Sequence, residues 1–400
     1  MRLLSRARAG TRVGVVQASA FLALLLHLSC GRADRDQPLE CGSPVQVSGV
    51  WSSVEVDPSL STSHTFASDG ENLLALEQRC LACQASLLDS ELHWKSQSNE
   101  GSIDMVVGFV ASSAFVFGQG GVSWTEGGIT RLDGRALLLD RSAGVWSVHD
   151  HPPDFHLRDR AQLFSTAELF GVWGGFGPAD LSKTPAQLAA DPSSVFLTHY
   201  DGLLFEPLTA QWWSIPPARA AVERLRSDPG PSLASIWTSS GLFVWGTNPE
   251  RDGNWGALFD VDSLQWTELD ASGALPPVCT EHQLLTVGGD VYLFGGKSAD
   301  GEKSRRVFRY QLEEGVWSEV QVPRWADPRT GAVVDGKLVF LGECDNGARY
   351  DPATDSWDAL AGGGPPSLGA PRSAGSFLTV TDTFYGEIES NEVWILDLRE

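Results

Sequence analysis

The phrases LDRSAGVW, FEPLTAQW, FDVDSLQW, YQLEEGVW and YDPATDSW end at Trp146, Trp212, Trp266, Trp317 and Trp357, and in each an apolar or aromatic residue stands seven positions before the tryptophan. In four of the five an acid follows that residue: Asp140, Glu206, Asp260 and Asp351. Upstream of each phrase a short apolar run ends in glycine: FVFG at Gly118, GVWGG at Gly174 and Gly175, FVWG at Gly246, YLFGG at Gly295 and Gly296, and VFLG at Gly342. The order strand, glycine, variable loop, strand, turn, tryptophan therefore recurs. From Trp51 to Trp357 the chain runs 306 residues, or 51 for each of six intervals. A unit of that size cannot bury both faces of its own sheet, so copies must stack on one another.

These glycines and tryptophans resemble the kelch repeat, whose units are four-stranded propeller blades with a glycine doublet after the second strand and an aromatic, turn, tryptophan pattern across the third and fourth. The resemblance covers about residues 47–400. It implies an all-β fold, a seven-bladed kelch-type β-propeller. The chain ends in FYGEIESNEVWILDLRE, which supplies inner strands with Gly386 and Asp397 but no closing tryptophan, while PVQVSGVWSSVEV around Trp51 supplies the missing outer strand. One unit, ending near Trp94, has lost its glycine doublet; if residues 57–100 do not form a full blade, six blades is the alternative. Gly 42, Pro 22 and Trp 15 against only two Met suit short strands and tight turns rather than helices. A recurrent Trp-Asp ending and the SxDxGxTW box of other propellers are absent: Trp-Asp closes only one of the five phrases, at 357–358, and DGNW at 252–255 is a fragment.

Residues 1–29 read as a signal peptide: Arg2, Arg6, Arg8 and Arg12 precede the apolar run VGVVQASAFLALLLHL at 13–28. That run is interrupted by Gln17, Ser19 and His27 and is shorter than the roughly 20 residues a membrane span needs. HLSC, ending at Cys30, resembles a bacterial lipoprotein box, with His27 where the pattern has leucine. It implies lipidation at Cys30, an anchor linker over 30–46 and a bacterial cell-envelope location as an outer-membrane lipoprotein. Cleavage after the GRA that precedes Asp34 would instead give a periplasmic or secreted protein. Without residues 1–29 the chain keeps 25 basic residues against 51 acidic ones. A surface so acidic repels phosphate backbones, which excludes nucleic acid as a partner and leaves the lipid anchor as the route to a membrane.

HDHPPDFH, residues 149–156, falls between the outer strand holding Trp146 and an inner strand expected near Gln162. Alternation puts His149 and His151 opposite Trp146 and Val148, and Pro152 and Pro153 end the strand. Three metal ligands would converge only if the prolines folded the chain back, so no metal site is expected. The crossover opens instead on the loop-rich end, where the resemblance places partner binding, and Asp150, His151, Asp154, His156 and Arg158 are the expected ligand contacts. The same end receives residues 176–202 and KSADGEKSRR at 297–306, a basic run expected to form surface salt bridges. Among the cysteines, Cys80 and Cys83 are expected to form a local disulfide, and Cys279 and Cys344 a bridge between adjacent blades.

No G-x-S-x-G, H-E-x-x-H or phosphate-cradling loop is present. Copper-radical oxidases with a kelch-like fold need tyrosines converging on the axis, whereas Tyr310 and Tyr350 occupy third-strand positions and Tyr292 a second strand. No catalytic residue and no cofactor is therefore assigned. The expected function is a protein- or glycan-binding platform at the cell envelope. The alternative is a carbohydrate-active enzyme, an oxidase or sugar isomerase, using an axial pocket.

Overall fold

The computed structural model describes strands between Val47 and Asp397, with side chains for most of residues 161–175, 198–218, 233–247, 254–298, 301–342 and 347–360 and for short pieces near 147–155 and 396–398. The leader, the linker over 30–46, and Cys30, Cys80, Cys83 and Cys344 lie outside the described residues.

Among the described residues the strands form five sheets of four strands, two of five and two short two-stranded ribbons. The first sheet comprises His64–Ser68, Leu73–Glu77, Ala85–Leu88 and Trp94–Gln97; the second, Met105–Val110, Ser113–Gly118, Arg135–Asp140 and Val145–Asp150. Gln162–Ser165, Phe170–Trp173, Gly202–Glu206 and Gln211–Ile215 make the third, and Ser232–Thr238, Gly241–Asn248, Gly253–Asp260 and Gln265–Glu268 the fourth. The fifth contains Thr280–Val287, Asp290–Lys297, Val307–Gln311 and Val316–Val320, and the sixth Thr330–Val334, Lys337–Leu341, Ala348–Asp351 and Ser356–Leu360. Ser272–Gly273 and Val47–Ser48 add a short parallel strand to the outer edges of the fifth and sixth. In the seventh, Pro371–Ala374, Phe377–Thr381 and Glu392–Asp397 are completed by Val50–Glu55, with Trp51 opposite Leu396. First strands of successive sheets lie beside one another, and Pro371–Ala374 of the seventh lies beside His64–Ser68 of the first. The unit ending near Trp94 is thus a four-stranded sheet despite its lost glycines.

The seven-residue spacing is a cross-strand pair. Leu139 faces Trp146, Phe205 faces Trp212, Phe259 faces Trp266, Tyr310 faces Trp317 and Tyr350 faces Trp357. Where both are rings, their centroids stand 4.5, 5.2, 5.0 and 4.9 Å apart from the third sheet to the sixth. The intervening turn needs a left-handed residue two positions before the tryptophan, supplied by Ala210, Leu264, Gly315 and Asp355. Its acid caps it: Asp260 accepts from the amides of Asp262 and Ser263 at 2.8 and 2.9 Å, and Asp351 from Ala353 at 2.9 Å. The Ser263 and Asp262 amides hold the Asp260 carboxyl below the usual carboxylate range.

The motif tryptophans do not all occupy the gap between sheets. Trp317 does so, fully buried, with ring contacts to Phe243 and Trp245 of the fourth sheet at 6.3 and 4.7 Å. Trp266 reaches Trp173 of the third sheet at 5.8 Å but stays partly exposed, and Trp212 and Trp357 rest on Phe205 and Phe340 of their own sheets. An outer strand is the least covered of the four. The bulk of the core therefore comes from second and third strands, in Trp173, Trp245, Phe243, Phe259 and Phe294, each contributing about 1.5–3 kcal/mol by burial.

Candidate functional site

The loop-rich end is the one where second strands lead into third strands and crossovers enter the first. It is best described over the fifth and sixth sheets. There the second strand of the fifth sheet ends in Gly295 and Gly296, both left-handed at φ 67° and 90°. A side chain at Gly296 would meet the Thr280 carbonyl at 2.9 Å and Cys279 Cβ at 3.0 Å, so the incoming crossover lies directly on the bare backbone.

Cys279 is buried and disulfide-bonded, and its partner lies outside the described residues. Its carbonyl accepts the hydroxyl of Thr247, the residue after the fourth sheet's motif glycine, and also faces His282 Nδ1 at 3.2 Å. The other ring nitrogen of His282 faces the Trp245 carbonyl at 3.4 Å. Burial holds this imidazole below its usual range, against the raising effect of the two carbonyls. Between them Glu281 adopts a left-handed conformation at φ 59°, rare for a side chain of its kind, and its carboxylate pairs with Lys297 at 2.6 Å.

The basic run is ordered by its own polar groups. The Ser298 amide donates to the Glu302 carbonyl at 2.8 Å and the Ser304 amide to the Gly296 carbonyl at 2.9 Å; both serines are buried. Arg306 makes a two-pronged bond to Glu319, 2.7 Å on each arm, and lies over the Phe308 ring. The expected surface salt bridges are present in Lys297–Glu281 and Arg306–Glu319. Alongside runs the crossover into the sixth sheet, where buried Asp327 accepts from Arg329 Nε at 2.9 Å. Residues 297–306 and 321–329 together hold six basic and three acidic residues, in a chain with 29 basic and 51 acidic. These two segments are therefore richer in bases than the chain as a whole, and two of those bases are paired with Glu281 and Glu319.

The contacts expected from HDHPPDFH are only partly placed. Asp150 ends the outer strand of the second sheet and is exposed; His151, Asp154, His156 and Arg158 lie outside the described residues. His149 turns away from such a role: it is half-buried, bonded to Ser147 at 2.9 Å and packed 5.1 Å from Phe205 of the third sheet, and burial lowers its basicity. The insertion at 176–202 starts as a ribbon in which Phe176–Gly177 pairs with Leu197–Thr198. Thr247, Glu281 and His282 escaped sequence reasoning, because their partners lie far along the chain and no spacing marks them.

The kelch pattern has independent support. A family model described as KLHDC2/KLHL20/DRC7 Kelch-repeats domain matches residues 232–400. The kelch-like protein terF of Aspergillus terreus is 33% identical over 123 residues, 26% of each chain. Kelch domain-containing protein 3 of Rattus norvegicus is 24% identical over 168 residues, 39% of this chain and 43% of that one. An N-(sulfonatooxy)prop-2-enimidothioate sulfolyase of Thlaspi arvense is 28% identical over 214 residues, 44% and 60% respectively. The chain thus spans less than two thirds of these curated relatives. A fungal alcohol oxidase of the AA5 family, solved with copper, matches 88% of this chain and 76% of its own with a TM-score of 0.58 and 14% identity, a likeness of fold. Tyr310 packs on Trp317, and Tyr350 donates to Asp355 at 2.7 Å; burial pushes the Tyr292 hydroxyl up to about 12. Among the described residues no three His, Cys, Asp or Glu side chains gather as metal ligands.

Proposed function

We propose that this protein is a binding platform for a protein partner, built as a seven-bladed kelch propeller that the strand around Trp51 closes. Supporting the ring are the succession of sheets, the neighbouring first strands and the pairing of Val50–Glu55 with Glu392–Asp397. The observation that carries the binding role is the basic run Lys297–Arg306, held by buried serines and ion pairs at the loop-rich end of an otherwise acidic chain. Loops fixed on a rigid frame recognise partners without further motifs, and a basic segment steers the encounter. The test compares partner capture by the full chain and by a Lys303→Glu, Arg305→Glu variant of equal stability. One protein retained by the first and lost by the second is expected; equal capture by both would dispose of the reading.

A cellular location and a second covalent link belong to the same proposal. Export and lipidation at Cys30, and with them a place in a bacterial envelope, rest on the leader residues alone, while the relatives named above are fungal, mammalian and plant proteins. Changing Cys30→Ala is expected to move the protein from the membrane fraction to the soluble one. A bridge from Cys279 is proposed to end on Cys344, supported by the oxidised state of Cys279.

A further inference from the structure

The opposite end of the fourth and fifth sheets is built differently. Their first two strands are joined there by tight turns, Ser239–Ser240 between Thr238 and Gly241, and Gly288–Gly289 between Val287 and Asp290. Between the turns lies an open cup of about 350 Å³, lined by Trp237, Thr238, Ser239, Thr286, Val287, Gly288 and Gly289. Phe164 of the third sheet stacks on Trp237 with centroids 5.1 Å apart and planes 10° from parallel, which covers one face of the indole and fixes its tilt. Trp237 itself is part of the lining. Thr238 is occupied by the turn, donating to the Gly241 carbonyl at 2.9 Å and accepting from the Ser240 amide at 3.1 Å. Ser239 and Thr286 are the other hydroxyl-bearing residues of the lining. Gly288 and Gly289 are left-handed, and a side chain at either would stand in open space, so their bare backbone is what the turn presents.

Among the described residues no charged side chain lines this cup, although the chain carries a net charge of −22. An anion is repelled by the molecule as a whole, and a cation finds no carboxylate here to compensate its lost hydration. What the lining does offer is a preset aromatic surface, two hydroxyls that both donate and accept, and peptide groups of a glycine turn. That set suits a molecule alternating C–H faces with hydroxyl groups, in a volume at the lower end of the range for small-molecule sites. We propose that the cup is a site for neutral glycans, separate from the basic loop end and independent of it.

The test uses the full chain on an array of short neutral and acidic oligosaccharides, with hits followed by saturation-transfer NMR. Binding to neutral glycans is expected. It should fall by about tenfold or more in Ser239→Arg, which fills the cup from an exposed turn, and severalfold in Thr286→Val, which removes one hydroxyl and keeps the shape. The Lys303→Glu, Arg305→Glu variant should bind the same glycans as the parent, which keeps this site's fate distinct from that of the protein-binding end. Absence of any hit, hits confined to acidic glycans, or neutral-glycan binding unchanged in Thr286→Val would each overturn the proposal, and the last applies even if Ser239→Arg fails to fold.

Discussion

In the outer hairpin of the fifth sheet Tyr310 faces Trp317 across one turn, and the third, fourth and sixth sheets repeat that pairing residue for residue. At the loop end of the same sheet the neighbours diverge. The residue paired with the motif glycine is Leu233 in the fourth sheet, opposite Gly246, and His282 in the fifth, opposite Gly295. The residue after that glycine is Thr247 in one and Gly296 in the other, and both meet Cys279: Thr247 bonds its carbonyl, and Gly296 leaves room for its Cβ. The hairpin is fixed by contacts within a few residues. The loop end is fixed by contacts spanning 32 and 37 residues, and there the sheets acquire individual chemistry.

If that contrast is right, the repeated tryptophans should be unequal in energy although alike in sequence. Trp317→Ala is expected to cost about 3–5 kcal/mol, because it empties a site between two sheets, and Trp266→Ala clearly less, since Trp266 is partly exposed. Denaturant unfolding of the two variants ranks them, and equal losses would break the comparison. Next in size is the disulfide. Cys279→Ala should cost about 2–5 kcal/mol, and Cys344→Ala the same amount if those two are partners. A Cys344→Ala protein as stable as the parent would direct the search for the partner elsewhere.

The same contrast decides what could be read in advance. The spacing from Tyr310 to Trp317 announces a hairpin because strand, turn and strand fit within it, and the glycines mark left-handed backbone that other residues avoid. Even the weak first sheet was legible from its place in the count. The split between Trp317 and Trp266 was not, since it depends on what the adjacent sheet presents: Phe243 and Trp245 in one case, Trp173 in the other. Nothing in the sequence sets His282 apart from other strand histidines, and the packing of His149 on Phe205 depends on a neighbouring sheet. Local pattern specifies the frame; the site depends on which frames become neighbours.

Smaller effects probe the Cys279 corner from its two sides. Gly296→Ala should cost about 1–3 kcal/mol, because the left-handed backbone resists a side chain and the Thr280 carbonyl stands 2.9 Å from where it would go. Thr247→Val should cost about 1 kcal/mol, one hydrogen bond to a buried carbonyl. Reversal of that order would mean the crossover is held by the fourth sheet rather than seated on the fifth.

The smallest effect appears only with pH. Burial lowers the basicity of His282, so the folded protein keeps its ring neutral at pH values where the unfolded chain's histidine, titrating near ~6.5, is already protonated. The unfolded state then binds more protons as pH falls, and stability declines below that value by at most about 1.4 kcal/mol per pH unit from this group. Above it the contribution is flat. Replacing His282→Leu imports the fourth sheet's solution at Leu233, and it should flatten the decline between pH 7 and about 5 by that amount. His149 shifts in the same direction and keeps its own share of the slope in both proteins. Unfolding curves with identical pH slopes in parent and variant would show that the carbonyls of Cys279 and Trp245 stabilise the protonated ring enough to offset its burial. The fifth sheet's histidine would then titrate as it does in the unfolded chain, and its difference from the fourth sheet's leucine would lie in its hydrogen bonds to the two carbonyls.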